Sequence, residues 1–172
     1  MKLRRIEILN FRGFDTPIEV EVDDFTAFIG RNDIGKSSIL AALTIFLEGD
    51  GVKMEQDDGC IHGDRENVRI TCEFDELPEK VILDDQFETS MRDEHLLRLN
   101  GRLRITKIYN CSKTKSNPDI YIDAESHPVD EDSKSLLPLT LPELKKKAEA
   151  LGIKLETGEA TVKAKVRRAI VG

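Results

Sequence analysis

The sequence lacks any apolar run near the roughly 20 residues that a membrane-spanning helix requires. Its N-terminus also lacks the apolar stretch of a secretory signal, because Met1–Arg5 is followed by the polar positions Glu7 and Asn10. No internal repeat and no low-complexity segment is present. These absences argue against membrane-spanning and secreted classes, and they predict a cytoplasmic protein without a membrane partner.

Cysteine is scarce as well, with three residues at positions 60, 72 and 111. Their spacing matches no zinc pattern, and an odd count argues against a disulfide framework. Reduced thiols are therefore expected, with Cys72 on the buried face of a strand. A metal site at Cys60 and His62 is the alternative, but no second pair of ligands supports it.

The net charge of −7 is unevenly distributed. Residues 140–172 hold eight Lys/Arg against four Asp/Glu, and Arg98–Lys115 holds six Lys/Arg and no acidic residue. Because phosphate contacts dominate nonspecific DNA affinity, a chain that is acidic elsewhere is not expected to coat DNA by itself. The basic stretches are either directional contacts for nucleic acid or simply solvated faces.

Hydrophobic periodicity predicts a strand-rich chain with one early helix. Phe25–Ile29 is an almost continuous apolar run, which is typical of a strand buried on both faces of a sheet. Ser37–Leu47 carries Ile39, Leu40, Leu43, Phe46 and Leu47 at helical spacing. A short helix is also possible near Met91–Leu97. Alternating or apolar patterns predict further strands at Leu3–Ile8, Ile18–Val22, Val68–Phe74, Arg102–Tyr109 and Asp119–Asp123.

The C-terminal part changes to a helical pattern. Thr140 and Glu143 have capping-box spacing, and Gly152 is placed to end the helix that follows. A second helix is predicted from Val162 to Ile170. We expect residues 1–135 to form one lobe and residues 136–172 a helical segment. Because the chain stops soon after the second helix, we also expect it to be the front part of a larger protein.

The loop Gly30–Ser37 matches GxxxxGK[ST] without a mismatch, between a predicted buried strand and an amphipathic helix. Gly30 and Gly35 allow the backbone to curl around an anion, and the helix that follows adds its positive end. Lys36 supplies a point charge for the β- and γ-phosphates, Ser37 a hydroxyl for Mg²⁺, and Ser38 a donor near the α-phosphate. The sequence therefore predicts a nucleotide-phosphate site, the alternatives being a chance match and an ordinary surface lysine.

Two segments resemble a known group of ATPases. Asn10–Phe14 reads Asn-Phe-Arg-Gly-Phe, and Phe28–Ser38 reads Phe-Ile-Gly-Arg-Asn-Asp-Ile-Gly-Lys-Ser-Ser. Together they resemble the opening of SMC/RecF-type ATPases, and within that group they are most similar to the OLD (overcoming lysogenization defect) family. The resemblance is strong over residues 1–47 and extends more weakly through the strands that follow.

The resemblance implies an α/β P-loop NTPase fold, here the N-terminal lobe of an ABC-type ATPase head with a strand meander and a C-terminal helical pair. It implies ATP and Mg²⁺ as cofactors, and a homodimer or higher homo-oligomer formed through the heads. It places Arg12 near the nucleotide, although a solvent-exposed arginine at a strand end is the plainer interpretation. The nucleotide-contacting set that it implies is Arg12, Gly30, Asn32, Asp33, Ile34, Gly35, Lys36, Ser37 and Ser38, with Lys36 as the catalytic residue.

Several elements of a complete head are not found in the sequence: a signature loop, a Walker B strand ending in Asp-Glu, and a switch histidine. Val81–Asp85 resembles a Walker B strand, but it follows Lys36 too closely and has no signature motif before it. Gln56 and Gln86 are weak candidates for a metal-contacting glutamine. Since positioning and charge stabilisation supply most of the catalysis in this chemistry, we expect ATPase activity in a full-length context and little or none from this stretch alone.

Leu139–Ile153, with the basic helix after Gly158, is similar to SAP-type helix-extended-helix DNA-binding modules. The alternative is the root of the helical arm that is inserted in SMC/OLD heads. Two interpretations of the whole chain follow. In the first, the chain is the ATP-binding part of an ATPase for DNA processing or nuclease-based phage defence. Under the second, it is a complete nucleotide-sensing module with a SAP-like DNA-binding tail. The candidate phosphate contacts to DNA are Lys145, Lys146, Lys147, Lys163, Lys165, Arg167 and Arg168.

Overall fold

The computed structural model of the chain describes residues 1–31, 35–84, 87–115, 117–125, 136–156 and 158–171. Two short 3-10 turns, Gly49–Gly51 and Gln56–Asp58, accompany the regular elements of these ranges. Those elements are β1 (Lys2–Leu9), β2 (Ile18–Glu21), α1 (Lys36–Phe46), β3 (Val68–Asp75), β4 (Val81–Asp84), β5 (Phe87–Thr89), β6 (Leu103–Tyr109), β7 (Asp119–Ile122), α2 (Leu141–Ala150) and α3 (Lys163–Val171).

The chain divides into two compact units whose segments alternate along the sequence. Unit 1 comprises Met1–Leu77 and Arg102–Asp123, and unit 2 comprises Pro78–Gly101 and Ala124–Gly172. Residues 78–101 therefore group with the C-terminal helices rather than with the strands beside them in sequence. The predicted boundary after residue 135 falls at the edge of a range that is not described, and it stays a prediction.

Unit 1 is built on a five-stranded antiparallel sheet in the order β2-β1-β3-β6-β7. In its centre, Ile6 lies opposite Cys72 and Ile8 lies opposite Ile70. All four side chains are buried, because alternate residues of a strand point to the same face. The predicted bounds hold to within one residue at five strands, those near Leu3–Ile8, Ile18–Val22, Val68–Phe74, Arg102–Tyr109 and Asp119–Asp123.

Helix α1 forms where the sequence predicts a helix, but only part of the predicted apolar face packs on the core. Its buried residues are Ile39, Ala42, Ile45 and Phe46. The predicted face included Leu40 and Leu47, which are 53% and 60% exposed. The helix is apolar on more than one side, so spacing alone did not identify the packed face, on which the small Ala42 lies fully buried.

The strand predicted at Phe25–Ile29 is wrong, because these residues belong to no strand or helix. Phe25 is 88% exposed and Ile29 is 90% exposed. A strand buried on both faces needs hydrogen-bonded neighbours. Within the described part of the chain, no strand pairs with this segment.

The basic stretch Arg98–Lys115 is largely neutralised by ion pairs. Arg104 holds Glu7 through two bonds of 2.6 Å, and Lys107 Nζ donates to Glu48 at 2.6 Å. Arg102 pairs with Glu73 at 2.9 Å, and Arg98 pairs with Glu125 at the same distance. Four of its six cations therefore serve the fold, which argues against this stretch as a surface for nucleic acid.

The pair of Glu48 with Lys107 makes the stability of unit 1 depend on pH. The hydrogen bond from Lys107, followed by attraction to the Lys107 charge, lowers the pKa of Glu48 below the usual 4.5. A carboxyl group with a lower pKa in the folded chain stabilises the fold above about pH 4.5. That stabilisation is lost as the pH falls through the folded-state pKa.

Glu48→Gln should therefore lower the melting temperature at pH 7, and its difference from the wild type should shrink between about pH 5 and pH 3. Thermal unfolding followed by circular dichroism measures both effects. Asp15→Asn is the matched control, because Asp15 is an exposed carboxylate of the same unit and forms no ion pair with the described residues. A difference in melting temperature between Glu48→Gln and the wild type that is the same at about pH 3 as at pH 7 would contradict the prediction.

Unit 2 combines the β4–β5 hairpin, the turns of residues 90–101, and the helices α2 and α3. Thr140 and Glu143 form the predicted capping box, and Gly152 follows α2 with a φ of +72°. The helix predicted near Met91–Leu97 is wrong, because this segment forms turns. The core of the unit consists of Leu136, Leu144, Ala148, Val166 and Ile170.

A buried ion pair ties α3 to these turns. Arg167 Nε donates to Glu94 Oε2 at 2.7 Å, and both side chains are less than 5% exposed. Thr89 Oγ1 donates to the other oxygen of Glu94 at 2.9 Å. The neighbouring Arg168 pairs with Asp93 at 2.8 Å, but in a half-exposed position. Residues 87–94 and helix α3 are therefore joined by two ion pairs.

Candidate functional site

The predicted phosphate loop leads directly into helix α1. Of its residues, the structure describes Gly30, Arg31 and Gly35–Ser37, whereas Asn32, Asp33 and Ile34 lie outside the described residues. Gly30 has a φ of 151° and Gly35 a φ of 86°. Both values are strained for a residue with a side chain, so the two glycines permit the course of the backbone here.

Lys36 is the first residue of α1, and its side chain folds back over the loop. Its Nζ donates to the carbonyl oxygen of Gly30 at 2.5 Å and also to that of Arg31. The ammonium group is thus held within the loop rather than extended into solvent. This is where an ammonium group could contact the oxygens of an anion bound by the loop.

The start of α1 leaves its backbone N–H groups open to an anion. Gly35 is the N-cap residue, no side chain caps this end, and the first turn holds no acidic residue. A helix N-terminus of this kind favours negative charge. Ser37 is exposed and Ser38 half-buried, and neither hydroxyl bonds to a described residue, so both can face a ligand.

Arg12 lies in the turn Asn10–Phe14 with a φ of 48°. Its backbone N–H donates to the Asp58 carbonyl oxygen at 2.7 Å, and its Nε donates to Asp58 Oδ1 at 2.9 Å. The guanidinium carbon also lies 5.1 Å from the centre of the Phe11 ring. The two terminal nitrogens of Arg12 donate no hydrogen bond to a described residue, so they can bind a ligand.

The turn reaches the loop through Phe14. A β-carbon built on Gly35 would lie 2.5 Å from Phe14 Cζ, so the ring is in contact with this glycine. The sequence does not predict this contact. Nor does it predict the role of Asp58, which lies buried beside Arg12 and pairs with it. No local pattern encodes either contact.

The weaker candidates lie elsewhere. Strand β4, the Walker B look-alike, pairs with β5 in unit 2, and Asp85 and Gln86 lie outside the described residues. Gln56 Nε2 donates to the Ser112 carbonyl oxygen at 3.3 Å. Cys60 is buried while His62 is exposed. Over the described ranges, no group of three or more His, Cys, Asp or Glu side chains could hold a metal ion.

The basic side chains of the helical pair differ in their accessibility. Lys145 and Lys146 are exposed, whereas Arg167 is buried against Glu94 and cannot reach a DNA phosphate in this conformation. Arg168 is paired with Asp93, and Lys165 Nζ lies 5.6 Å from the centre of the Phe87 ring. Lys147 and Lys163 are half-buried. The accessible charge is therefore on α2 rather than on α3.

The helices of the described residues are all too short or too polar to cross a bilayer. A family model described as an AAA ATPase domain matches residues 1–168 of the chain. A search of curated proteins found no match.

Proposed function

Since the chain belongs to the AAA ATPase domain family, we propose that it binds ATP·Mg²⁺ through Gly30–Ser37 as part of an ABC-type, OLD/SMC-like ATPase. Membership of the family gives nucleotide-binding ATPase function. The observation that carries the proposed site is the placement of Lys36, whose ammonium lies over the loop at the open N-terminus of α1. A fixed cation and free backbone N–H groups together suit a polyphosphate.

Each residue of the site has a proposed role. Lys36 binds the β- and γ-phosphates and stabilises the charge that develops on phosphoryl transfer, and Ser37 holds Mg²⁺. Ser38 and the backbone N–H groups of residues 32–35 contact the remaining phosphate oxygens. Arg12 contributes its terminal nitrogens from the neighbouring turn. The set is Arg12, Gly30, Asn32, Asp33, Ile34, Gly35, Lys36, Ser37 and Ser38.

The OLD/SMC-like subtype is supported by the turn Asn10–Phe14, which lies against the loop through Phe14, and by the antiparallel meander around α1. In this proposal two heads enclose the nucleotide in a homodimer or higher homo-oligomer. The ATPase serves DNA processing or nuclease-based phage defence in the cytoplasm. A signature loop and a catalytic glutamate, which complete a site of this type, are not found in the sequence.

A second candidate is a nucleotide-sensing module with a SAP-like DNA-binding tail. The observation that favours it is the packing of α2 and α3 on a shared core, with residues 153–156 between them in no helix or strand. Lys145 and Lys146 point to solvent from α2 and would contact DNA phosphates. ATP binding that changes affinity for duplex DNA would support this candidate over the first.

The proposal is tested by titrating the chain with ATP·Mg²⁺ and GTP·Mg²⁺ in a calorimeter while phosphate release is measured in parallel. Saturable ATP binding with negligible turnover is expected, because the elements that complete an ABC-type site are not in the chain. Absence of binding to either nucleotide would overturn the proposed site. Steady turnover by the isolated chain would show that residues 1–172 already contain a complete catalytic set.

A further inference from the structure

We propose that Phe14 is a positioning residue for the phosphate loop, whose ring braces Gly35 and thereby sets the affinity for nucleotide. The inference rests on the proposed function, because it concerns the same loop. Phe14 itself need not touch the ligand. It acts through Gly35, the residue at which the loop becomes helix α1.

The contact between Phe14 and Gly35 is close and specific. A β-carbon at Gly35 would lie 2.5 Å from Cζ and 2.8 Å from Cε1 of the ring, far inside van der Waals distance. The edge of the ring therefore occupies the space that a side chain would take. Gly35 holds a left-handed φ of 86° at this point, which glycine adopts freely, so this conformation depends on the surroundings of Gly35 to be held against the others that glycine samples.

The turn that carries Phe14 is itself rigidly held. Phe11 N–H donates to the Phe14 carbonyl at 3.2 Å, and Phe14 N–H donates to the Phe11 carbonyl at 2.9 Å. The Phe11 side chain is fully buried in the core of unit 1. Asn10 lies at the start of the turn, and its carbonyl oxygen accepts a hydrogen bond of 2.8 Å from the backbone N–H of Cys60.

Asp58 fixes the middle of the turn. One carboxylate oxygen accepts from Arg12 Nε at 2.9 Å, and the other accepts from the Glu55 backbone N–H at 2.9 Å. Its carbonyl oxygen accepts from the Arg12 backbone N–H at 2.7 Å. Because these bonds hold the turn in place, the turn does not move with the loop. Phe14 is therefore a fixed support for Gly35.

The loop is thus constrained at both of its ends. Lys36 Nζ bonds the carbonyl oxygens at its beginning, and the Phe14 ring blocks Gly35 at its end. Removal of the ring would let Gly35 sample other backbone conformations, which glycine does readily. If the binding-competent loop were then populated at roughly a tenth of its present level, the apparent Kd would rise about tenfold.

The test measures the ATP·Mg²⁺ affinity of four proteins by calorimetry: the wild type, Phe14→Ala, Phe14→Leu and Ile18→Ala. The melting temperature of each protein is measured as well. Ile18 is the matched control, because it is a half-buried residue on the same core, whereas the three atoms nearest a β-carbon built on Gly35 all belong to Phe14. We expect about tenfold weaker binding for Phe14→Ala, partial recovery for Phe14→Leu, which keeps apolar bulk on Gly35, and unchanged binding for Ile18→Ala.

Folded Phe14→Ala with wild-type affinity would overturn the positioning role, as would an equal loss of affinity in Ile18→Ala. If Phe14→Ala does not fold, Phe14→Leu decides alone, and affinity equal to the wild type at a lowered melting temperature would count against the role. A wild-type chain that binds no nucleotide would instead refute the proposed function, so the two failures are distinguishable.

Discussion

Lys36→Ala is expected to weaken ATP·Mg²⁺ binding by about 100-fold or more. The ammonium of Lys36 is already placed over the loop by its bonds to Gly30 and Arg31, so little conformational entropy is lost when it turns to phosphate. A hydrogen bond to a charged group contributes about 1.5–3 kcal/mol, and two such bonds to phosphate oxygens account for a factor of this size. Calorimetric titration of the variant beside the wild type measures the loss.

Lys53→Ala is the matched control for Lys36→Ala. It removes one positive charge from the exposed surface of the same unit and leaves the loop unchanged. Its affinity should stay within a few-fold of the wild type, since exposed charges are largely screened by solvent and salt. Equal losses in the two variants would mean that net charge rather than a defined lysine contact governs binding. Lys36→Ala with unaltered affinity would remove Lys36 from the site.

Glu94→Ala should be the most destabilising single change in unit 2, lowering the free energy of unfolding by about 3–5 kcal/mol. Glu94 and Arg167 are both buried at a separation of 2.7 Å. Removal of the carboxylate takes the opposite charge from a buried guanidinium and the acceptor from Thr89. Urea unfolding followed by circular dichroism gives the difference in free energy.

Two further variants separate the buried pair from charge in general. Asp93→Ala breaks the adjacent pair with Arg168, which joins the same turn and helix in a half-exposed position. It should cost only about 0–1 kcal/mol. The double variant Glu94→Leu with Arg167→Met should recover most of the stability, because an apolar replacement of a buried pair is often neutral. A Glu94→Ala cost as small as that of Asp93→Ala would contradict the assignment.

Local patterns in the sequence were sufficient for much of this architecture. The alternation of Val68–Phe74 fixes the inward face of β3, because a strand repeats every two residues. The spacing of Thr140 and Glu143 identifies the start of α2, because both partners of a capping box lie within one turn. The loop Gly30–Ser37 is recognised in the same way, since its chemistry requires adjacent residues.

The remaining features depend on partners that are distant in sequence. Phe25–Ile29 has the composition of a buried strand, but composition does not provide neighbouring strands for it to pair with. The meeting of Phe14 with Gly35 depends on the tertiary fold of unit 1. Arg167 is predicted from the sequence as a candidate DNA contact, and only the fold of unit 2 shows that it is buried and paired with Glu94.

The alternating course of the chain between its units has a consequence for biosynthesis. The described strands and helix of unit 1 are complete in sequence at residue 123, whereas residues 78–101 of unit 2 precede that point and their partner helices follow it. Arg167 lies 73 residues after Glu94, which corresponds to about 4–15 seconds of translation at roughly 5–20 residues per second. Once residue 123 has been made, the ribosome carries all the described strands of the sheet and a hairpin whose partner helices are not yet synthesised. Slower elongation after residue 123 would prolong the exposure of that hairpin without delaying the sheet.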